Sequence, residues 1–406
     1  MQKINDKHHN GHWIYLDDDD IPILLPCLFA RYTHERGLSI VRKVKHNEVT
    51  GVVEAHLEEV EVGGDAQCNR QRQLGLFLEW IEEHEHPSVT LAWHTALPAV
   101  YINEYINCHL IEKMQKSEIV VNKAVIALSS YYNWLTFLLD APYKNIHIFS
   151  ENRALARTYN KPKHIIKYLL PATRELLYRH TNSYLEEIVL RNGGELGCRT
   201  SENRGFYLDD FKADGKKRDG LLRLFQQLTT FPEQEEFEYH LPSFDAKYGS
   251  RRTLYISREH LEMMERYYRT ERPLSNSNHL LVSNSSNDTE GQPISRRYGS
   301  DLFAKTLKKV IEVMKNNPEA YSGYQSLDDA NTYHHLRHSF GTDIFYELCI
   351  AAKKNYESIT TESRVYLETA RRLGHKVDGK HGNQTTKIYI HACGQREALV
   401  REVALA

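Results

Sequence analysis

Six side chains in a fixed order hold most of the chemistry this sequence can offer: Arg199, Lys247, His334, Arg337, His375 and Tyr389. A guanidinium presents a planar fork that fits two non-bridging phosphate oxygens, so a pair of arginines is a natural clamp for a phosphate accumulating negative charge. An imidazole titrates near neutrality and can donate a hydrogen bond or take a proton at working pH. A lysine ammonium is a mobile cation whose pKa falls readily when it is desolvated or crowded by other cations. A phenol ionises at about pH 10 and becomes a nucleophile where neighbouring cations and a base lower the cost of losing its proton. A clamp, two imidazoles, one mobile cation and one phenol suit the transfer of a phosphodiester onto a protein side chain without a metal.

The words around these residues are distinctive. Arg199 lies in Gly197-Cys198-Arg199-Thr200-Ser201-Glu202, and Lys247 in Asp245-Ala246-Lys247-Tyr248-Gly249-Ser250-Arg251-Arg252. His334 and Arg337 share His334-His335-Leu336-Arg337-His338-Ser339-Phe340, His375 closes Leu373-Gly374-His375, and Tyr389 lies in Thr385-Thr386-Lys387-Ile388-Tyr389-Ile390-His391. In order and wording they resemble the tyrosine recombinases, the phage integrase family, over most of residues 68–406 and most strongly in the C-terminal half. The resemblance implies that Arg199 and Arg337 clamp the phosphate, with Glu202 supporting them by hydrogen bonding. Lys247, on the turn of a β-hairpin, would protonate the leaving 5′ oxygen, and Arg251 and Arg252 beside it are expected to contact DNA. His334 and His375 would orient groups or exchange protons. Tyr389, the sole tyrosine after His375, would be the nucleophile.

The implied activity is that of a site-specific DNA recombinase, which breaks and rejoins strands through a 3′-phosphotyrosine with a free 5′ hydroxyl as leaving group. Bond energy is conserved at each transesterification, so neither ATP nor a metal cofactor is expected. The implied partners are double-stranded DNA, four protomers assembled on it, and accessory DNA-bending proteins. The expected setting is cytoplasmic, on the nucleoid when acting. His334 and His338 are spaced as a helical metal pair, but no H-E-x-x-H word or matching distant carboxylate accompanies them, and no metal site is expected. Three rival readings remain: a type IB topoisomerase or telomere resolvase, a non-cleaving DNA-binding protein of the same fold, and a metal-dependent nuclease. One departure from the family is the spacing of fourteen positions from His375 to Tyr389, longer than is common there, across the polar, glycine-punctuated residues 376–383. Such an insertion costs little closure entropy.

The net charge of −2 does not advertise a nucleic-acid partner. Duplex affinity comes largely from Lys and Arg displacing counterions, so a balanced chain must segregate its basic face from acidic runs such as Asp17–Asp20. Six scattered cysteines with no C-x-x-C pair point to reduced thiols. No apolar stretch suggests a membrane span or a signal peptide.

The elements that must position these groups read as mainly α with a small β-sheet. Residues 1–65 form an N-terminal extension with a hairpin or helix, either a packing appendage or a grip on DNA or a second subunit. Residues 66–145 show helical periodicity, with apolar faces at Leu74, Phe77 and Trp80 and at Tyr101, Tyr105 and Ile106, then a long helix opening at Ser117. This last stretch is similar to the end of the helical core-binding (SAM-like) domain of the family. Residues 146–163 read as a linker and 164–406 as the catalytic domain. Within the latter, dense Tyr, Phe and Thr near 237–256 predict strands, and Ser283–Gly291 predicts an exposed loop. The amphipathic tail 395–405 predicts a helix docked either on its own domain or on a neighbouring protomer.

Overall fold

The computed structural model describes residues 1–5, 11–46, 53–159, 167–213, 215–242, 252–375, 377–378, 381–382 and 386–405. The chain divides into two compact units, Met1–Lys163 and His164–Ala406. Both are mainly helical with small antiparallel strand pairs. No helix among the described residues is long and apolar enough to cross a membrane.

In the first unit β1 (Gln2–Asn5) pairs with β2 (Trp13–Leu16), α1 (Leu24–Arg36) follows, and β3 (Leu38–His46) pairs with β4 (Val53–Glu61). Helices α2 (Gly64–Glu82), α3 (Ala99–Glu104), α4 (Glu118–Leu139) and α5 (Ser150–Thr158) complete it, with π-helical turns over Tyr105–Lys113. Ser117 occupies the N-cap of α4, without a side-chain cap bond.

The described part of residues 1–65 packs into the same unit. Tyr15, Phe29, Ala30 and Ile40 share one core with Leu74, Phe77, Leu128 and Tyr131. Ser39 Oγ on β3 lies 2.6 Å from Ser130 Oγ on α4, and Arg70 Nε on α2 donates to Ser39 Oγ at 3.1 Å. The described part of 146–163 also differs from a linker, because Ile146 and Ile148 are buried in that same core. Two side-chain amides stand in for a missing strand partner. Asn103 Oδ1 accepts from His147 N at 3.0 Å and Asn107 Oδ1 from Phe149 N at 2.9 Å, while Asn103 Nδ2 donates to Asn145 O at 3.0 Å. These bonds, each partly shielded from water, satisfy backbone groups on either side of the buried Ile146 and Ile148.

The second unit begins with α6 (Pro171–Arg179) and α7 (Tyr184–Gly194), then a 3₁₀ turn over Thr200–Gly205. Next come β5 (Phe211–Ala213) paired with β6 (Lys216–Arg218), α8 (Leu221–Thr230), and β7 (Glu236–Leu241) paired with β8 (Arg252–Ser257). They are followed by α9 (Arg258–Thr270), α10 (Tyr298–Asn316), α11 (Tyr333–Ala351), α12 (Arg364–Arg372), β9 (Val377–Asp378) paired with β10 (His381–Gly382), and α13 (Lys387–Leu405). One core joins Ile188 and Val189 of α7, Leu261 and Met264 of α9, and Phe303 and Leu307 of α10 to the strand residues Phe237, Tyr239, Leu254 and Ile256. The expected loop is exposed from Asn284 to Glu290.

Helix α13 lies on its own domain, the first of the two dockings its sequence allows. Cys393 packs with Phe345 and Tyr366, Leu399 packs with Tyr168 and Leu170, and Arg396 Nε reaches Asp343 Oδ1 at 3.3 Å. The same rigid helix therefore carries Tyr389 near its start and the anchoring residues further along.

Candidate active site

Two chain segments that follow helices meet at the site, and two buried arginines hold them there. Helix α12 stops because Gly374 takes φ +63°, the left-handed conformation that a glycine adopts without strain. Gly374 N then donates to Arg371 O at 2.9 Å and His375 N to Ala370 O at 2.8 Å, the paired bonds of a Schellman ending. Leu373-Gly374-His375 is therefore a helix stop that fixes the backbone of His375. The last carbonyls of α12, like any at a helix C-terminus, need donors from elsewhere and favour cations. Arg337 Nη2 donates to Leu373 O, and Arg252 Nη1 donates to Arg372 O at 2.7 Å. On the segment after α7, Gly197 O accepts from Arg337 Nη1 and, at 3.0 Å, from Arg252 Nη2.

One carboxylate balances this positive charge. Glu202 is fully buried on the 3₁₀ turn, with Oε1 2.6 Å from Arg199 Nη1 and Oε2 2.7 Å from Arg252 Nη2. Arg337 Nη1 lies 3.7 Å from Glu202 Oε2, and Arg199 N donates to the same oxygen at 2.9 Å. Burial alone would raise the Glu202 pKa, but Arg252, Arg337 and Arg199 overcome it and hold the group at about 2. Arg337 is 1% exposed, and burial followed by repulsion from Arg252 draws it down to about 10. The turn itself is pinned to α11, since Asn203 Nδ2 donates to Tyr333 Oη at 2.9 Å and Tyr333 Oη donates to Val189 O at 2.9 Å.

The imidazoles and the phenol complete the cluster. Arg337 Nη2 lies 3.4 Å from His375 Nε2, and His375 Nδ1 lies 3.0 Å from Thr386 Oγ1. A guanidinium only donates, so Nε2 accepts and Nδ1 carries the ring proton. The His375 ring stacks with Tyr389 at 6.1 Å between centroids and 20° between planes. His338, on α11, packs between Tyr389 at 5.5 Å and His334 at 4.5 Å. Tyr389 is 2% exposed; burial raises its pKa, and Arg337, Arg199 and Arg252 pull it back. His334 is exposed at the rim. Its pKa is lowered by partial desolvation and then by Arg337 and Arg199, effects that solvent screening weakens.

Two predictions arise from this packing. A Cβ on Gly341 would stand 2.6 Å from Tyr389 Cε1 and 3.0 Å from Leu373 Cδ1. Gly341→Ala is therefore expected to displace the phenol and destabilise the chain by about 1–3 kcal/mol, as overpacking does, read by urea unfolding. Burial, with Arg337 foremost among the neighbours of His375 and the coupled imidazole of His334 beside His338, holds both pKa values at about 3. Ring ¹⁵N spectra are expected to show both imidazoles neutral from pH 8 down to about 5. The sign follows from linkage: unfolded imidazoles bind protons from about pH 6.5, so the stability contribution is complete above that pH and is lost as pH falls toward the folded values.

Of the residues singled out from sequence, the structure brings together Arg199, Glu202, His334, Arg337, His375 and Tyr389. Lys247 and Arg251 lie outside the described residues. Arg252 is placed differently from expectation: it is 6% exposed and four of its hydrogen bonds run to protein acceptors, so it is no surface contact for DNA in this structure. The alternation of β8 carries the signal for this, since Arg252, Leu254 and Ile256 point to one buried face. His338, read from sequence only as half of a metal pair, is a site residue. Its i, i+4 spacing from His334 put it on the same helix face, and its buried Nδ1 has no hydrogen-bond partner among the described residues.

No protein-family profile and no curated protein matches this chain. Solved structures similar to it include two of the Tn1549 transposon integrase in complex with circular intermediate DNA. They are 13% and 16% identical, each covering 92% of this chain and 98% of the other with a TM-score of 0.44. A third is the integrase from mycobacterium phage Brujita, 12% identical over 81% of this chain and 92% of that one, with a TM-score of 0.29.

Proposed function

We propose that this chain is a site-specific DNA recombinase of the tyrosine type, integrating or excising a mobile element through a 3′-phosphotyrosine. The observation that carries the reading is a phenol stacked on one neutral imidazole and packed on another, inside a cluster of three arginines set by a single buried carboxylate. In this reading Arg199 and Arg337 meet the non-bridging oxygens, with charge-assisted bonds that strengthen as the phosphorane-like state forms. Tyr389 attacks phosphorus, its oxygen–phosphorus bond forming as the bond to the 5′ oxygen breaks. His334 and His375 handle protons and orientation, and Lys247 donates to the leaving oxygen. Arg337 and Tyr389 are both sheltered in the free chain, so seating of DNA must open the site before the phosphate reaches them. Double-stranded DNA, three further protomers and accessory DNA-bending proteins are the partners of this reaction. It needs neither ATP nor a metal.

The test is cleavage of a nicked duplex drawn from the DNA flanking the chain's own coding region, in EDTA. A protein-linked 3′ end together with a free 5′ hydroxyl supports the reading. Cleavage that EDTA abolishes and that leaves no protein attached points to a metal-dependent nuclease. Binding without cleavage points to an architectural DNA-binding protein. Relaxation of supercoiled plasmid without exchange between two duplexes points to a topoisomerase-like enzyme.

A further inference from the structure

The environment of Arg252 supports a role that neither its expected DNA contact nor the reaction described above supplies. Its side chain leaves the inward face of β8 and crosses Gly374, where an added Cβ would stand 2.9 Å from Arg252 Cδ. The guanidinium then donates to Leu196 O at 3.0 Å, Gly197 O at 3.0 Å, Arg372 O at 2.7 Å and Glu202 Oε2 at 2.7 Å. These are the acceptors of Arg337 or their immediate neighbours. Both arginines share Gly197 O and approach Glu202 Oε2, and on α12 they take the consecutive carbonyls of Arg372 and Leu373. A planar fork can serve four acceptors on three chain segments at once; a lysine ammonium has three donors and no fixed plane.

We propose that Arg252 is a positioning residue, which sets the Arg337 guanidinium and the His375 backbone by bridging the segment after α7, the end of α12 and Glu202. It also ties these to the β7–β8 pair, because Arg252 on β8 is the register partner of Leu241 on β7. Movement of that pair would then be transmitted to the clamp through one side chain. This inference rests on the recombinase reading for its effect on rate. Its geometric part stands apart from that reading.

The test compares full-length wild type with Arg252→Lys and Arg252→Met on the nicked duplex. Affinity is measured at several salt concentrations, adduct formation at saturating DNA, and melting temperature on each variant. Positioning predicts that Arg252→Lys keeps its affinity within about two-fold and its salt slope unchanged. The bound-state rate falls roughly 100-fold, the scale on which small misplacements act. A DNA contact predicts the reverse for the charge-removing Arg252→Met, and would overturn the proposal: weaker binding, a salt slope smaller by about one, and an unchanged rate at saturation. Ring ¹⁵N resonances of the DNA-free protein, assigned by comparison with His375→Asn, supply the independent readout. The His375 signal is expected to move in Arg252→Lys, and an unmoved signal sinks the proposal. If wild type forms no adduct, the recombinase reading fails, and the His375 signal alone decides the role of Arg252. If Arg252→Met does not fold, Arg252→Lys carries the comparison.

Discussion

Replacement of Tyr389 by phenylalanine is expected to lower covalent attachment to DNA by roughly 10⁴-fold or more, the scale on which removal of a nucleophile acts. Phenylalanine keeps the ring that fills the space beside Gly341, His338 and His375 and deletes only the oxygen. Stability should therefore change by less than about 1 kcal/mol. Tyr389 is buried in the free chain and makes no contribution to counterion release there, so affinity for DNA should stay within about two-fold. Denaturing gels read the adduct, and melting and binding curves on the same preparation read the rest. A variant that binds, folds and fails to attach isolates the hydroxyl as the reacting group.

Glu202→Gln should produce the largest loss of stability. The carboxylate is fully buried among three guanidiniums, and two of these, Arg252 and Arg337, have side chains 1% exposed. Glutamine preserves shape and leaves the arginines without their counter-charge, a change that costs about 3–5 kcal/mol when one partner of a buried pair is removed. The pH dependence has a definite sign. The folded pKa of Glu202 is lowered to about 2 from an ordinary 4.5, so its contribution is complete above the unfolded value and is lost as pH falls from about 5 toward 2. Urea unfolding of wild type and Glu202→Gln should therefore differ most at neutral pH and converge under acid. Cleavage should fall as well, because Arg199 and Arg337 lose the group that orients them.

Much of the site is legible in local words because local physics builds it. Leu373-Gly374-His375 stands out as a word, and the structure shows why: the left-handed glycine ends α12 and sets the backbone of His375. In Gly197 to Glu202 the arginine and glutamate, three positions apart, bond across a 3₁₀ turn at 2.6 Å. The alternation through 237–256 yields the hairpin and also the burial of Arg252, although the Lys-Tyr-Gly-Ser-Arg-Arg run draws attention to its charge rather than to its place on a strand. What local pattern could not supply are contacts between residues distant in sequence. Ile146 and Ile148 look like linker residues until Asn103 and Asn107, some forty positions earlier, bond the backbone of their neighbours Asn145, His147 and Phe149. The first 65 residues read as an extension, and only contacts distant in sequence show that Tyr15 and Phe29 share the core of α2 and α4. His338 stands out in sequence only by its helical spacing from His334; only the arrival of Tyr389, 51 positions later, places it beside that phenol.

The measurement that bears most directly on the central claim is the site of covalent attachment. Wild-type protein would be trapped on a nicked or phosphorothiolate duplex in EDTA, digested with protease, and the nucleotide-linked peptide sequenced by mass spectrometry. A 3′-phosphate ester on Tyr389 is the expected result. An adduct on any other residue would contradict the claim, as would DNA that is bound and cut with nothing attached.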